Sequence, residues 1–201
     1  NQNFGYFAGG NSPFTQSRVD RIDYSNDTAD AVQKGSLNSE RQKFAGTSNV
    51  NFGYFGGGDS FGGTPHISRV ERIDYSNDTA TASIKGSLSA GRHSLGATGN
   101  ADFGYFGGGN TGSTVSTVDR VDYSNDTATA AVKGPLSVAR SDLGATGNAD
   151  FGYFAGGFAP ADSSVVDRID YSNDTATASP KGPLSAVKGQ LSATGNASIR
   201  Y

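Results

Sequence analysis

Carboxylates recur beside arginine at four places in the 201 residues. The segments are Asp20-Arg21-Ile22-Asp23, Glu71-Arg72-Ile73-Asp74, Asp119-Arg120-Val121-Asp122 and Asp167-Arg168-Ile169-Asp170. In an extended strand, an Arg and the Asp two positions later share a face. Acid–base catalysis asks for two groups held in unlike environments, so that their pKa values separate. Fourfold repetition supplies four similar sites instead. The pattern therefore fits a structural Arg–carboxylate pair between repeated units, with Arg21, Asp23, Arg72, Asp74, Arg120, Asp122, Arg168 and Asp170 as its members.

Other residue groups carry weaker chemical signals. Asp-Tyr-Ser-Asn-Asp, beginning at Asp23, Asp74, Asp122 and Asp170, offers oxygen ligands. It lacks the alternating ligands and central Gly of a calcium loop, so a plain turn is expected. Asn-Asp-Thr at Asn26, Asn77, Asn125 and Asn173, and Asn196-Ala-Ser, match the short glycosylation pattern that arises readily in turns. The glycine doublets lack the order Gly-Lys-Ser/Thr of a phosphate loop. His66 and His93 are the only histidines, they fall in different parts of different repeats, and there is no Cys. No metal site, cofactor or catalytic set is expected, and no thiol or disulfide chemistry.

The elements that must hold these residues repeat as well. Phe-Gly-Tyr-Phe begins at Phe4, Phe52, Phe103 and Phe151, and Lys-Gly-(Ser/Pro)-Leu at Lys34, Lys85, Lys133 and Lys181. A period near 50 residues suits a propeller blade and is too long for ankyrin or tetratricopeptide units. Each unit divides into four strand-like pieces separated by turn chemistry, such as Leu143–Thr146, Phe151–Phe154, Thr117–Tyr123 and Thr127–Val132 in form. No helical period appears. Gly is abundant at 29 residues, and only 34% of residues are hydrophobic, which fits short strands and tight turns. The net charge of −3, with no basic cluster, gives no sign of a nucleic-acid partner. No apolar run is long enough for a membrane helix. The chain begins without Met and is expected to be a processed product or part of a longer protein.

The whole chain resembles the kelch family. An aromatic strand ends in a glycine doublet (Gly9-Gly10, Gly57-Gly58, Gly108-Gly109, Gly156-Gly157), and a later strand ends in Tyr24, Tyr75, Tyr123 or Tyr171. A basic residue follows a Leu by about four positions, at Arg41, Arg92, Arg140 and Lys188. Where kelch blades carry Trp, this chain has Ala31, Ala82, Ala130 and Ala178, and the motif Phe residues are the expected substitutes. The near-verbatim blades also resemble repeat proteins of tailed phages. The resemblance implies an all-β fold, a β-propeller of four-stranded antiparallel blades in one domain over 1–201. The blades would span approximately 1–35 plus 191–201, 41–86, 92–134 and 140–182. The C-terminal strand, Leu191 to Thr194, would complete the first blade and leave no free edge. A four-bladed ring, an eight-bladed dimer and part of a larger ring are all compatible with this pattern.

Between the near-copies lie segments that differ, at 11–16, 59–67, 110–116 and 158–164, and at 38–43, 89–94, 137–142 and 185–190. Loops on a rigid scaffold often carry binding. Phe14, Phe61, His66 and Phe158 are the candidate binding residues. A non-enzymatic structural or attachment module, extracellular or associated with a phage virion or fibre, is the leading functional expectation. Its partners would be other protein subunits, including further copies of itself, or cell-surface glycans, without nucleic acid or membrane insertion. The alternative is a lectin with sugar sites between blades. An enzyme ranks last.

Overall fold

The computed structural model describes residues 3–60, 62 and 65–195. The fold is all-β, with four main antiparallel sheets in chain order and two single 3-10 turns at Tyr123–Asn125 and Tyr171–Asn173. The first sheet has three strands, β1 (Phe4–Ala8), β2 (Arg18–Asp23) and β3 (Val32–Ser36). The second has β4 (Ala45–Ser48), β5 (Phe52–Gly56), β6 (Arg69–Asp74) and β7 (Ser83–Ser87). The third has β8 (Gly96–Gly99), β9 (Phe103–Gly107), β10 (Val118–Asp122) and β11 (Ala131–Lys133). The fourth has β12 (Gly144–Gly147), β13 (Phe151–Ala155), β16 (Val166–Asp170) and β17 (Ser179–Pro180). A hairpin of β14 (Phe158–Ala159) and β15 (Ala161–Asp162) sits in one of the variable segments.

Each of the three four-stranded sheets is a meander whose first strand is supplied by the tail of the preceding repeat. Thus β4 pairs with β5, with Ala45 opposite Gly56 and Thr47 opposite Tyr54. This multi-blade arrangement is compatible with a β-propeller. The described residues do not form a closed ring. Leu191–Thr194, expected as the strand that completes the first sheet, is not in a strand. It lies against β12, where a methyl added to Gly144 would meet Leu191 and Ala193. The β-type run expected from Thr127 is also shorter than anticipated, because the turn extends through it and the strand begins at Ala131. Asn196 lies outside the described residues.

The core is between sheets, not within them. One cluster joins Val19 and Leu37 to Ile73 and Ala82, a second joins Tyr54, Val70 and Leu88 to Phe106, Val121 and Ala130, and a third joins Tyr105, Val118 and Leu136 to Phe154, Ile169 and Ala178. The motif Phe residues replace a large ring only in part. Phe106 and Phe154 are fully buried, whereas Phe7, in the first sheet, is 61% exposed. Phe106 lies over Gly56 and Phe154 over Gly107, where a methyl group would collide with the ring. The first Phe of each motif is instead covered by the arginine of its own sheet, as in Arg72 over Phe52 at 4.1 Å.

Candidate functional site

The repeated arginine is aimed by strand register. Tyr6 stands opposite Arg21, Tyr54 opposite Arg72, Tyr105 opposite Arg120 and Tyr153 opposite Arg168. In an antiparallel pair, opposed side chains lie side by side. Both therefore reach one acceptor. That acceptor is not the Asp two positions along the strand but the last Asp of the Asp-Tyr-Ser-Asn-Asp turn in the following sheet. Asp78 accepts from Tyr6 Oη at 2.9 Å and Arg21 Nη1 at 2.8 Å, with Lys34 Nζ at 3.4 Å. Asp126 accepts from Tyr54 at 3.1 Å and Arg72 at 2.7 Å, with Lys85 at 3.3 Å. Asp174 accepts from Tyr105 at 2.9 Å and Arg120 at 2.8 Å, with Lys133 at 3.2 Å. Burial opposes ionisation of Asp78, but the bonds from Tyr6, Arg21 and Lys34 prevail and hold its carboxyl below the usual range. Burial, reinforced by Asp78, pushes the Tyr6 hydroxyl up to about 12.

Asp23, Asp74, Asp122 and Asp170 have a local task. Each accepts from the backbone and hydroxyl of the Ser two residues on, and these bonds lower its carboxyl pKa. A second row of charges runs beside the first. Arg92 donates to Asp119 at 2.8 Å and to the Phe106 carbonyl, and Arg140 pairs with Asp167 at 3.0 Å and donates to the Phe154 carbonyl. Arg41 lies 3.4 Å from Glu71 and donates to three carbonyls; its burial pushes its pKa down to about 10. Tyrosines stack across the same boundaries, Tyr6 on Tyr75, Tyr54 on Tyr123 and Tyr105 on Tyr171, with centroids 4.8, 4.5 and 4.7 Å apart.

The three boundaries thus share one seam, whose fourth instance is divided. Among the described residues, Tyr153, Arg168 and Lys181 of the fourth sheet have no Asp from a following sheet, and Asp27 in the first is exposed and meets no such donors. Tyr24, whose counterparts are covered by a stacked ring, is 54% exposed. Backbone contacts divide in the same way. Gly35, Gly86 and Gly134 donate to the carbonyls of Asp78, Asp126 and Asp174, each at 2.8 Å, and a methyl at any of them would strike the next turn. A methyl at Gly182 would meet nothing among the described residues. A cavity of about 1100 Å³ lies beside the edge of β1 that pairs with no strand among the described residues, lined by Phe4, Tyr24, Thr47, Asn49, Asn100 and Gly195 among others.

The variable loops hold the other candidate residues. Phe14 and Phe158 are both exposed, and Phe158 lines a cleft of about 280 Å³ with Asp142 and Gln190. Phe61 lies outside the described residues. His66 and His93, expected to lie apart, are brought together with Asp59. His66 Nδ1 is 2.7 Å from Asp59 Oδ1, His93 Nδ1 is 3.8 Å from Asp59 Oδ2, and the two rings are 4.8 Å apart. Sequence spacing hides this contact because it arises from pairing between loops, Gln42 with Asp59 and His93 with Asn110. Burial pushes the His93 pKa down, and His66 and Lys43 reinforce this against the pull of Asp59. Ser94 Oγ also approaches His93 Nδ1, at 3.1 Å. Hydroxyl and carboxylate thus share one nitrogen, which does not make a proton relay. The left-handed backbone at Ser94 is not a mark of a nucleophile, since Lys43, Asp142 and Gln190 share it in the other repeats.

No protein-family model matches the chain, and no curated protein matches it. Among solved structures it is similar to that of YjhT, with a TM-score of 0.75, 12% identity, and coverage of 96% of this chain and 71% of that one. At this identity the likeness concerns the fold alone.

Proposed function

We propose that the chain is a non-enzymatic, kelch-like β-propeller module for structure and attachment, closed by the same seam that joins its sheets. The divided fourth seam is the observation that carries this reading. Asp27 carries the acceptor, and Tyr153, Arg168 and Lys181 the donors, of a contact the molecule already makes three times. Closure brings these halves together, and Leu191–Gly195 adds to the free edge of β1. The register follows from the repeats. Ala45 opposite Gly56, Gly96 opposite Gly107 and Gly144 opposite Ala155 correspond to Ser192 opposite Ala8.

The buried charges support a structural role, because Glu71, Asp119 and Asp167 pair with arginine and not with a second carboxylate. Sugar sites between blades are the less favoured reading, since the tyrosine faces there stack on one another. The likeness of the repeats to those of tailed-phage proteins supports a virion or fibre as the setting. Labelling with antibody against the chain, viewed by electron microscopy, is expected to decorate particles, fibres or cell surfaces. Label confined to the cell interior would overturn the attachment role.

A further inference from the structure

Asp59, His66 and His93 form a cluster that the repeated architecture does not require. Asp59 follows the glycine doublet of the second repeat, His66 pairs back onto it across the loop, and His93 comes from the segment leading into the third sheet. Both strands of backbone are pinned. Asp59 exchanges two hydrogen bonds with Gln42, at 2.9 and 3.0 Å, and His93 exchanges two with Asn110, at 2.9 and 3.1 Å.

The same backbone pairing recurs elsewhere with neutral side chains. Asn11 pairs with Thr15, and Asn110 with Thr114. Gln42 precedes the left-handed residue of its repeat as His93 does, and Ser141 stands at the same place in the next. The fold is therefore built at sister positions without a carboxylate or an imidazole. Asp59 differs too from the other deeply buried carboxylates. Only 2% of it is exposed, yet among the described residues it faces two imidazoles and no Arg or Lys ion pair, whereas Glu71, Asp119 and Asp167 each have an arginine.

One ligand atom from each of the three residues falls within a 4.8 Å span. Zinc bonds of about 2.0–2.2 Å to His nitrogen and carboxylate oxygen place ligand atoms a little over 3 Å apart. To reach that spacing the 2.7 Å contact must open slightly, and the 3.8 Å contact to the other carboxylate oxygen and the widest ligand-atom separation, within 4.8 Å, must close. Two imidazoles with one carboxylate favour zinc-class ions over Mg²⁺ and Ca²⁺, which seek oxygen. We propose that Asp59, His66 and His93 bind one divalent transition-metal ion of the zinc class, which ties the loop of the second sheet to the segment entering the third. Both imidazoles are partly exposed, so a fourth coordination position opens to solvent, available to water or to a donor from a partner.

Titration calorimetry of the tag-free, chelator-treated chain with Zn²⁺, and with Mg²⁺ as a control, tests this. One Zn²⁺ per chain with a dissociation constant of about 10 μM or tighter is expected, with no Mg²⁺ binding. Asp59→Asn and His93→Gln introduce the residues found at sister positions, so the metal-free thermal midpoint should hold while Zn²⁺ affinity falls at least tenfold. Absence of Zn²⁺ binding by the unaltered chain, or equal binding by the folded double variant, would overturn the proposal. Zn²⁺ should also raise the thermal midpoint of the unaltered chain and not that of the double variant.

Discussion

Asp78, Asp126 and Asp174 each gather a guanidinium, a phenol and an ammonium from the preceding sheet. Removing one charge from such a buried set leaves its partners unmatched, at a cost of about 3 kcal/mol. Asp126→Asn is expected to lower stability by about that amount in denaturant unfolding. If Asp27 occupies the fourth seam, Asp27→Asn lowers it comparably; an unchanged midpoint would place Asp27 in solvent. The depressed carboxyl of Asp78 sets a pH dependence with a definite sign. A carboxylate held below its unfolded value, near 4, contributes stability above that value and loses it as pH falls through the folded value. The thermal midpoint should therefore be steady from pH 7 to about 5 and fall below about pH 4, with a smaller fall in Asp78→Asn. Some of this was legible in the residues alone. The repeated Asp-Arg-(Ile/Val)-Asp segment signals an ion pair between units. Its true acceptor is hidden, because Asp78 is 57 residues from Arg21 and is reached only when sheets face one another.

At the level of elements, strand identity follows from local chemistry and sheet-to-sheet contact does not. Phe-Gly-Tyr-Phe is aromatic and bounded by turn residues, and the Ser-Asn-Asp turns stop the strands, so the meanders could be drawn from the sequence. Thr127–Ala130 reads as strand by its β-branched residues but serves as turn, because Gly86, in the preceding sheet, packs against Ala128. That packing gives a paired test. Gly86→Ala drives a methyl into the Ala128 carbonyl and should cost about 2 kcal/mol in denaturant unfolding. Among the described residues, Gly182→Ala touches nothing and on that ground alone would be neutral. Closure puts the turn at Ala29 against Gly182, so a similar loss in Gly182→Ala is the outcome the closed seam predicts. The Asp59–His66–His93 cluster shows the same limit of sequence reading. His66 and His93 are 27 positions apart, and only pairing between loops unites them.

At the scale of the whole molecule, apolar clusters, tyrosine stacks and the ion pairs at Asp78, Asp126 and Asp174 all lie in the boundaries between sheets. Under the proposed closure a fourth boundary would be added, and the edge of β1 and the Leu191–Gly195 segment are the pieces that would form it. An exposed strand edge is otherwise a template for unwanted pairing. The chain contains no cysteine, so an engineered pair reports without interference. Ala8→Cys combined with Ser192→Cys places thiols on residues that closure sets opposite each other, within disulfide reach. Mild oxidation followed by non-reducing electrophoresis should give a monomer with an internal disulfide, absent from either single variant. Two freely reactive thiols after oxidation, or a disulfide found only in dimers, would contradict closure of the ring by its own strand.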